Sequence, residues 1–127
     1  IRIGIVGCGR ILAAHLRGYR LLREAGVDDF VITALTSRQP ADAVGYIDDA
    51  VMDLTTHGMH HLVAAEVFSH RKHLLSQKPL AATMRAGRRM LDQADKAGVV
   101  FGTFECFRFM PQTLALDWLF RSGRVGT

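Results

Sequence analysis

The chain has 127 residues, which is the size of one ordinary domain and excludes two complete domains. Hydrophobic residues make up 49% and charged residues 22%, a composition that provides a buried core and excludes disordered and collagen-like chains. The formal charge of +4 comes from 16 Lys and Arg against 12 Asp and Glu. The excess suits phosphate-bearing ligands, but the cations are scattered, and we expect no nucleic-acid partner because such binding needs a concentrated basic patch.

Cysteine usage and hydropathy indicate a cytoplasmic protein. Cys8 and Cys106 are too few for a disulfide framework and belong to no metal-ligand spacing. Five of the six histidines fall between His57 and His73, without the HExxH pattern, so we expect no metal site. No apolar run approaches the ~18 residues of a membrane span, and we expect no membrane partner. Ile1 already belongs to an apolar run, which indicates that residues have been lost before it.

The first predicted elements form a strand, a turn, a helix and a second strand. Residues 1–6 are rich in β-branched apolar side chains, which is typical of a strand buried on both faces of a parallel sheet. Gly7-Cys8-Gly9 ends this strand, and apolar residues recur at helical spacing over residues 10–25, before Gly26. Residues 30–35 predict a second strand, which completes a βαβ unit.

The rest of the chain continues the alternation. Further strands are predicted over residues 50–55, 73–76 and 99–104, and further helices over residues 59–69, 84–97 and 111–123. Thr83 caps the second of these helices and Gly98 ends it. Its predicted buried positions are Met84, Met90, Leu91 and Ala94. Alternating strands and helices predict an α/β fold with a parallel sheet.

The connection between the second and third strands is too short for this fold. Residues 37–49 contain no convincing helix, whereas parallel neighbours are joined by a dozen or more residues that are usually helical. In a doubly wound sheet this connection normally supplies a further strand as well. We therefore expect that residues are missing between Gln39 and Asp49, and an unbroken main chain through this stretch would contradict that expectation.

The glycine turn carries the first functional signal. Gly7-x-Gly9 between a buried strand and a helix begins a dinucleotide fingerprint, in which the first glycine makes the turn and the second lets the main chain approach a pyrophosphate. Leu12 occupies the third small position, which weakens the match, although Ala13 and Ala14 keep the next turn small. The turn predicts dinucleotide binding, and a purely structural turn is the alternative.

The end of the second strand predicts which dinucleotide binds. An acidic residue there would accept hydrogen bonds from a ribose 2′-OH, whereas Arg pairs with a 2′-phosphate. The sequence has Thr36-Ser37-Arg38 at this place, while Asp28 and Asp29 precede the strand and lie at its wrong end. We therefore expect NADP in preference to NAD, with an exposed loop cation at Arg38 as the alternative.

Several motifs together resemble a known family. They are Gly-Cys-Gly-Arg-Ile-Leu-Ala-Ala-His at residues 7–15, Lys-His-Leu-Leu-Ser-Gln-Lys-Pro-Leu at residues 72–80, and Phe-Glu-Cys-Phe-Arg-Phe-Met-Pro at residues 104–111. In this order and spacing they resemble the glucose-fructose oxidoreductase, inositol dehydrogenase and MocA-like (Gfo/Idh/MocA) family, over nearly the whole chain except residues 39–49.

The resemblance implies a doubly wound Rossmann domain that is one part of a larger enzyme. Residues 1–110 would be the dinucleotide-binding domain, and residues 111–127 a linking helix toward an α+β domain that is missing from this chain. In the family that second domain carries the acid/base histidine and much of the substrate pocket, and it commonly builds a homo-oligomer. The chain alone is then expected to bind a nucleotide without catalysing a reaction.

The resemblance also implies a set of cofactor-binding residues. Those for the pyrophosphate are Gly7, Cys8, Gly9, Arg10, Ile11 and Leu12. Ser37 and Arg38 would hold the adenosine ribose. The residues that would line the nicotinamide side are Thr55, Thr56, His57 and His60. Gln77 would contact the nicotinamide ribose, and Arg108 would touch the cofactor or the substrate.

Lys78 is the implied catalytic residue, placed at the substrate hydroxyl. Oxidation of an alcohol removes a proton from its oxygen, and a nearby cation stabilises the developing negative charge. The expected function is hydride transfer between a nicotinamide and a sugar, polyol or related hydroxy compound. Three residues depart from the family pattern. Gln77 stands where the family usually has Glu, Thr56 where it has Pro, and Cys106 where Asn is frequent. These departures leave open a non-catalytic NAD(P)-binding regulatory or scaffold protein.

Overall fold

The computed structural model describes residues 1–37 and 49–125. The elements in these stretches are β1 (Arg2–Val6), α1 (Arg10–Glu24), β2 (Val31–Thr36), β3 (Ala50–Asp53), α2 (His60–Ser69), β4 (His73–Gln77), α3 (Met84–Ala97), β5 (Phe101–Phe104), a 3₁₀ helix (Cys106–Phe109) and α4 (Pro111–Arg121). Every predicted strand and helix is present, and its ends lie within two residues of the prediction. Residues 38–48 lie outside the description, so the missing segment between Gln39 and Asp49 stays a prediction.

The strands described here form one parallel sheet in the order β2-β1-β3-β4-β5. Strand β1 pairs with β2 through Val6 and Thr36 on one side and with β3 through Val6 and Asp53 on the other. The chain therefore winds first to one side of β1 and then to the other, which confirms the doubly wound arrangement. The carboxyl ends of β1 and β3 flank the topological switch point, where ligands bind in open α/β sheets.

Helices cover both faces of the sheet. Because neighbouring side chains on a strand point to opposite faces, Val6 packs under α2 and α3 while Ile5 packs under α1. Both side chains are fully buried, as the sequence of the first strand predicted. The α1 face is less completely covered, since α1 itself contains no buried residue.

Helix α3 begins and ends as its sequence predicts. The Thr83 hydroxyl accepts a hydrogen bond from the Ala86 N–H at 3.2 Å, and Gly98 adopts a left-handed conformation with φ +67°. Met90 and Ala94 are buried, as predicted. The prediction is wrong for Met84 and Leu91, which are 77% and 48% exposed. Both lie to one side of the narrow stripe that faces the core.

Helix α4 and the 3₁₀ helix lie on the outside of the described fold, with no buried residue in either. Trp118 and Phe120 are more than half exposed, and the Arg124 guanidinium lies 5.0 Å from the centre of the Trp118 ring. The helix predicted from Pro111 exists, while its role as a link to another domain stays a prediction. In the described stretches, no helix has the length and hydropathy needed to cross a membrane.

Candidate functional site

The two glycines of the turn between β1 and α1 serve different geometric needs. Gly7 has φ +102°, and its N–H donates to the Thr36 carbonyl at 2.7 Å. A Cβ on Gly7 would lie 2.6 Å from the carbonyl carbon of Leu54, because the main chain after β3 passes directly against the turn. At Gly9, in contrast, apart from its neighbours along the chain, no atom of the described residues lies within 4 Å of the place a Cβ would occupy. Gly7 thus makes the tight turn, and Gly9 leaves an open main-chain surface.

The open surface coincides with the amino terminus of α1. Gly9 is the N-cap residue and has no side chain with which to cap the helix, and the first turn of the helix has no acidic residue. The first N–H groups of a helix have no acceptor within the helix and form the positive end of its dipole. An anionic group at Gly9 would supply the missing acceptors, as pyrophosphates do at such helix ends.

A cleft of about 450 Å³ opens at this end of the sheet, over the switch point. The predicted site residues that line it are Gly7, Cys8, Gly9, Ser37, Thr55 and Thr56. They come from three separate places in the sequence: the glycine turn, the end of β2 and the loop after β3. The volume lies within the ~300–1,000 Å³ range of small-molecule and cofactor sites. The cleft, the open glycine and the uncapped helix end fit a dinucleotide phosphate.

Asp53, which the sequence analysis did not single out, lies buried beneath the cleft and accepts hydrogen bonds from two neighbouring segments. Its side chain is fully buried, and one oxygen, Oδ1, accepts hydrogen bonds from the Thr55 N–H at 2.9 Å and the Thr55 hydroxyl at 2.6 Å. The other oxygen, Oδ2, accepts from the Ser76 hydroxyl at 3.0 Å. The carboxylate therefore ties the end of β3 to the end of β4. Its only signal in the sequence is an acidic residue inside an otherwise apolar strand.

Gln77 and His15 form a second polar contact at the same edge. The Gln77 carbonyl oxygen accepts from the Lys78 N–H at 2.8 Å, so its amide nitrogen faces Nε2 of His15 at 3.3 Å and donates to it. The His15 ring also packs against Phe104, with 4.8 Å between ring centres. Burial lowers the pKa of His15, which favours the neutral ring that this hydrogen bond requires. Lys78 is exposed and is joined to Pro79 by a cis peptide bond.

His60 lies inside the protein rather than on the wall of the cleft. It is fully buried at the first position of α2. Its Nδ1 lies 3.0 Å from the Pro79 carbonyl oxygen, and its Nε2 lies 3.3 Å from the Thr55 carbonyl oxygen. Both ring nitrogens thus face main-chain oxygens, one in each of the loops after β3 and β4.

Of the other predicted site residues, Ile11 and Gln77 line a separate cavity of about 360 Å³ beside α1, and the rest lie apart. Arg10, Ile11, His57 and Arg108 are exposed, and Arg108 belongs to the 3₁₀ helix. Leu12 packs against the apolar cluster under α1. Arg38 lies outside the described residues. Over residues 1–37 and 49–125, no three His, Cys, Asp or Glu side chains come together as metal ligands.

Comparisons with known proteins agree with this geometry. The model of an oxidoreductase family with an NAD-binding Rossmann fold, Gfo/Idh/MocA, matches residues 36–104. The chain is 30% identical to inositol 2-dehydrogenase 2 of Saccharopolyspora erythraea over 99% of its length, and 36% identical to 1,5-anhydro-D-fructose reductase of Ensifer adhaerens over 61%. The first alignment runs over 145 positions, so that relative has residues without a counterpart here.

The solved structures show the same similarity. The WlbA dehydrogenase of Bordetella pertussis, crystallised with NADH and UDP-GlcNAcA, superposes on 99% of the chain with a TM-score of 0.84 and 26% identity. The chain spans 42% and 23% of the inositol dehydrogenase and the anhydrofructose reductase, and 43% of the WlbA chain. The chain therefore belongs to the Gfo/Idh/MocA oxidoreductase family with an NAD-binding Rossmann fold, as its motifs led us to expect.

Proposed function

We propose that this chain is the cofactor-binding part of an NAD(P)-dependent oxidoreductase that transfers a hydride between the nicotinamide and a sugar, polyol or related hydroxy compound. The main support is Gly9, where an open main-chain position meets an uncapped helix end inside a cleft at the switch point. Similarity to enzymes named for inositol and 1,5-anhydro-D-fructose supports a polyhydroxylated substrate.

The proposed cofactor site follows the cleft from the end of β2 to the end of β3 and would continue from there to the end of β4. The main chain of residues 7–11 would hold the pyrophosphate, with Leu12 anchoring the helix to the sheet. Ser37 and Arg38 would hold the adenosine ribose, and a 2′-phosphate paired with Arg38 favours NADP over NAD. Thr55, Thr56 and His57 would line the path toward the nicotinamide, where Gln77 and Arg108 would meet the cofactor.

The bound nicotinamide would accept or supply the hydride, and the protein would manage the charge on the reacting oxygen. The Lys78 ammonium would lie beside that oxygen and stabilise the negative charge that develops as its proton leaves. Gln77 would orient the cofactor by hydrogen bonding alone, because an amide lacks the charge of the family's usual Glu. Homo-oligomer formation is proposed for the part of the enzyme that this chain does not include.

Dinucleotide binding tests the proposal directly. The purified chain is titrated separately with NADH and with NADPH in a calorimeter. Both titrations should show saturable binding, and the affinity should be tighter for NADPH. Gly9→Val should abolish binding, because the added side chain fills the space at the helix end. Gly18→Ala is the matched control, since its Cβ also meets open space, but within α1. Equal affinities of the two variants would refute the proposed site.

The cofactor preference has its own variant. Arg38→Ala should weaken NADPH binding by tenfold or more, about the 1.4 kcal/mol of one charge-assisted contact, and leave NADH binding nearly unchanged. An equal loss for both dinucleotides would mean that Arg38 does not contact a 2′-phosphate.

Lys78→Met should separate catalysis from binding. In a longer form of the protein that oxidises a polyol such as myo-inositol, we expect turnover to fall at least a hundredfold, because the developing charge loses its stabilising cation. The dissociation constant for NADPH should change less than threefold. Steady-state kinetics and calorimetry measure the two quantities. Unchanged turnover would reject the catalytic role of Lys78.

A further inference from the structure

The two loops that border the candidate site are joined through one buried ring. His60 is fully buried, and its two nitrogens face the Thr55 carbonyl in the loop after β3 and the Pro79 carbonyl in the loop after β4. The contact of Nδ1 with the Pro79 carbonyl oxygen is the shorter of the two, at 3.0 Å against 3.3 Å for Nε2 and the Thr55 carbonyl oxygen. Pro79 directly follows Lys78, so the ring holds the main chain next to the proposed catalytic lysine.

The Thr55 end of this link is itself immobilised. The Asp53 carboxylate accepts hydrogen bonds from both the N–H and the hydroxyl of Thr55. On its other side, the Leu54–Thr55 peptide lies so close to Gly7 that a Cβ there would be 2.6–2.8 Å from its atoms. Contacts therefore run without a break from the glycine turn, through Thr55 and His60, to Pro79.

We propose that His60 is a positioning residue, which fixes Lys78 relative to the glycine turn by holding the Pro79 carbonyl from its buried place beside Thr55. A buried, close-packed link of this kind transmits position because its members have little freedom to move independently. In this role His60 acts from beneath the cofactor and does not touch it. The role of His60 in hydride transfer rests on the function proposed above. The contacts of His60 themselves are present in the protein without a nucleotide.

Two conservative variants separate the two contacts of the ring. An Asn amide can donate from about the place of Nδ1, and a Gln amide from about the place of Nε2. His60→Asn thus keeps the contact with Pro79 and gives up the one with Thr55, and His60→Gln does the reverse. If His60 only fills space in the core, the larger Gln should preserve the surroundings better than the smaller Asn, which is the opposite of the order expected for the hydrogen bond to Pro79.

Amide NMR spectra of the ¹⁵N-labelled chain report on the link. The amides of Lys78 and Leu80 flank Pro79, and the amide of buried Ala94 in α3 checks that each variant is folded. Without nucleotide, we expect the Lys78 and Leu80 signals to keep their wild-type positions in His60→Asn and to shift in His60→Gln. Loss of the wild-type positions in the Asn variant, or their retention in the Gln variant, would overturn the proposal. Either variant suffices if the other does not fold.

Addition of NADH then tests the consequence for the site. The Gly9 amide signal should shift in all three proteins, because the glycine turn is intact in each. The Lys78 signal should shift on NADH addition in the wild type and in His60→Asn, and this response should be lost in His60→Gln. A Lys78 response in the Gln variant equal to that of the wild type would overturn the positioning role. If neither NADH nor NADPH moves the Gly9 signal of the wild type, the proposed function fails, and the nucleotide-free spectra still decide the link.

Discussion

Gly7 and Gly9 lie two residues apart in one turn, yet substitution of Gly7 should reduce the stability of the protein much more than substitution of Gly9. Gly7→Ala should lower the free energy of unfolding by about 3 kcal/mol, since the new Cβ adds left-handed strain to a clash with the main chain at Leu54. Gly9→Ala should change it by less than about 0.5 kcal/mol, because its Cβ meets open space. Urea denaturation followed by circular dichroism measures both. Similar losses in the two variants would contradict the close approach at Gly7.

His15 should make the stability of the domain depend on pH. Burial lowers its pKa in the folded chain, whereas the unfolded chain has the ordinary value of about 6.5. As the pH falls below that value, the unfolded state takes up a proton that the folded state resists, so the free energy of unfolding declines until the folded pKa is passed. Protonation would also replace the acceptor that faces the Gln77 amide with a donor.

We therefore expect the wild type to lose stability as the pH falls through about 6.5, and His15→Asn to lose less over the same range. Urea titrations at several pH values provide the measurement. Comparing each protein with itself at pH 8 removes the packing cost of the substitution, which does not depend on pH. An equally steep decline in the variant would exclude a contribution from His15.

Local chemistry explains which site residues could be predicted from the sequence. The glycine turn is recognisable because its requirements, a positive φ and an exposed helix end, arise within a few residues. The contacts of Asp53 and His60 arise across the fold: Ser76 is 23 residues from Asp53, and Pro79 is 19 residues from His60. His60 could be singled out by its motif, but only the packed structure shows that both its nitrogens face main-chain oxygens.

At the level of elements, α3 provides the clearest test of local sequence signals. Thr83→Ala should lower the free energy of unfolding by about 1 kcal/mol, because the Ala86 N–H loses its acceptor. Thr83→Ser, which retains the hydroxyl, is the matched control and should cost less. Gly98→Ala should also cost about 1 kcal/mol, through left-handed strain alone, since its Cβ would meet no atom within 4 Å. Thermal and urea denaturation of these variants check each value.

The sequence predicts where the helices and strands begin and end better than it predicts which of their side chains are buried. Caps and glycine stops act within one turn of the chain, which is why α3 begins and ends as expected. Burial depends on what lies opposite: Met90 faces the core, while Leu91 of the same helix lies beside the buried stripe. The apolar spacing of α1 correctly predicts a helix, although none of its side chains is fully covered in the described structure.

On the scale of the whole molecule, large apolar side chains of α1 and α4 are exposed in the described part of the chain. Leu16 and Leu22 on α1 are 37% and 43% exposed, and Leu114, Trp118 and Phe120 on α4 are each more than half exposed. Leu114 and Trp118 are four positions apart on one face of α4, and neighbouring exposed apolar side chains mark places where another surface packs. The chain also spans less than half of the relatives it matches. We propose that further protein, the expected second domain, covers α4.

Trp118 is the only tryptophan of the chain and can report whether α4 is covered. Its emission in the isolated chain should be that of a solvent-exposed indole and should be quenched efficiently by acrylamide, because 55% of the residue is accessible and one ring contact is with Arg124. Acrylamide is uncharged, so the nearby guanidinium does not attract or repel it.

In a longer form that includes the second domain, the Trp118 signal should resist quenching, since the domain would exclude the quencher. The comparison needs Trp118→Phe in the longer form, to subtract any other tryptophan, and a dilute sample of the chain, so that self-association through α4 does not mimic the domain. Equal quenching of Trp118 in the two forms would show that α4 stays exposed and that it does not pack against a second domain.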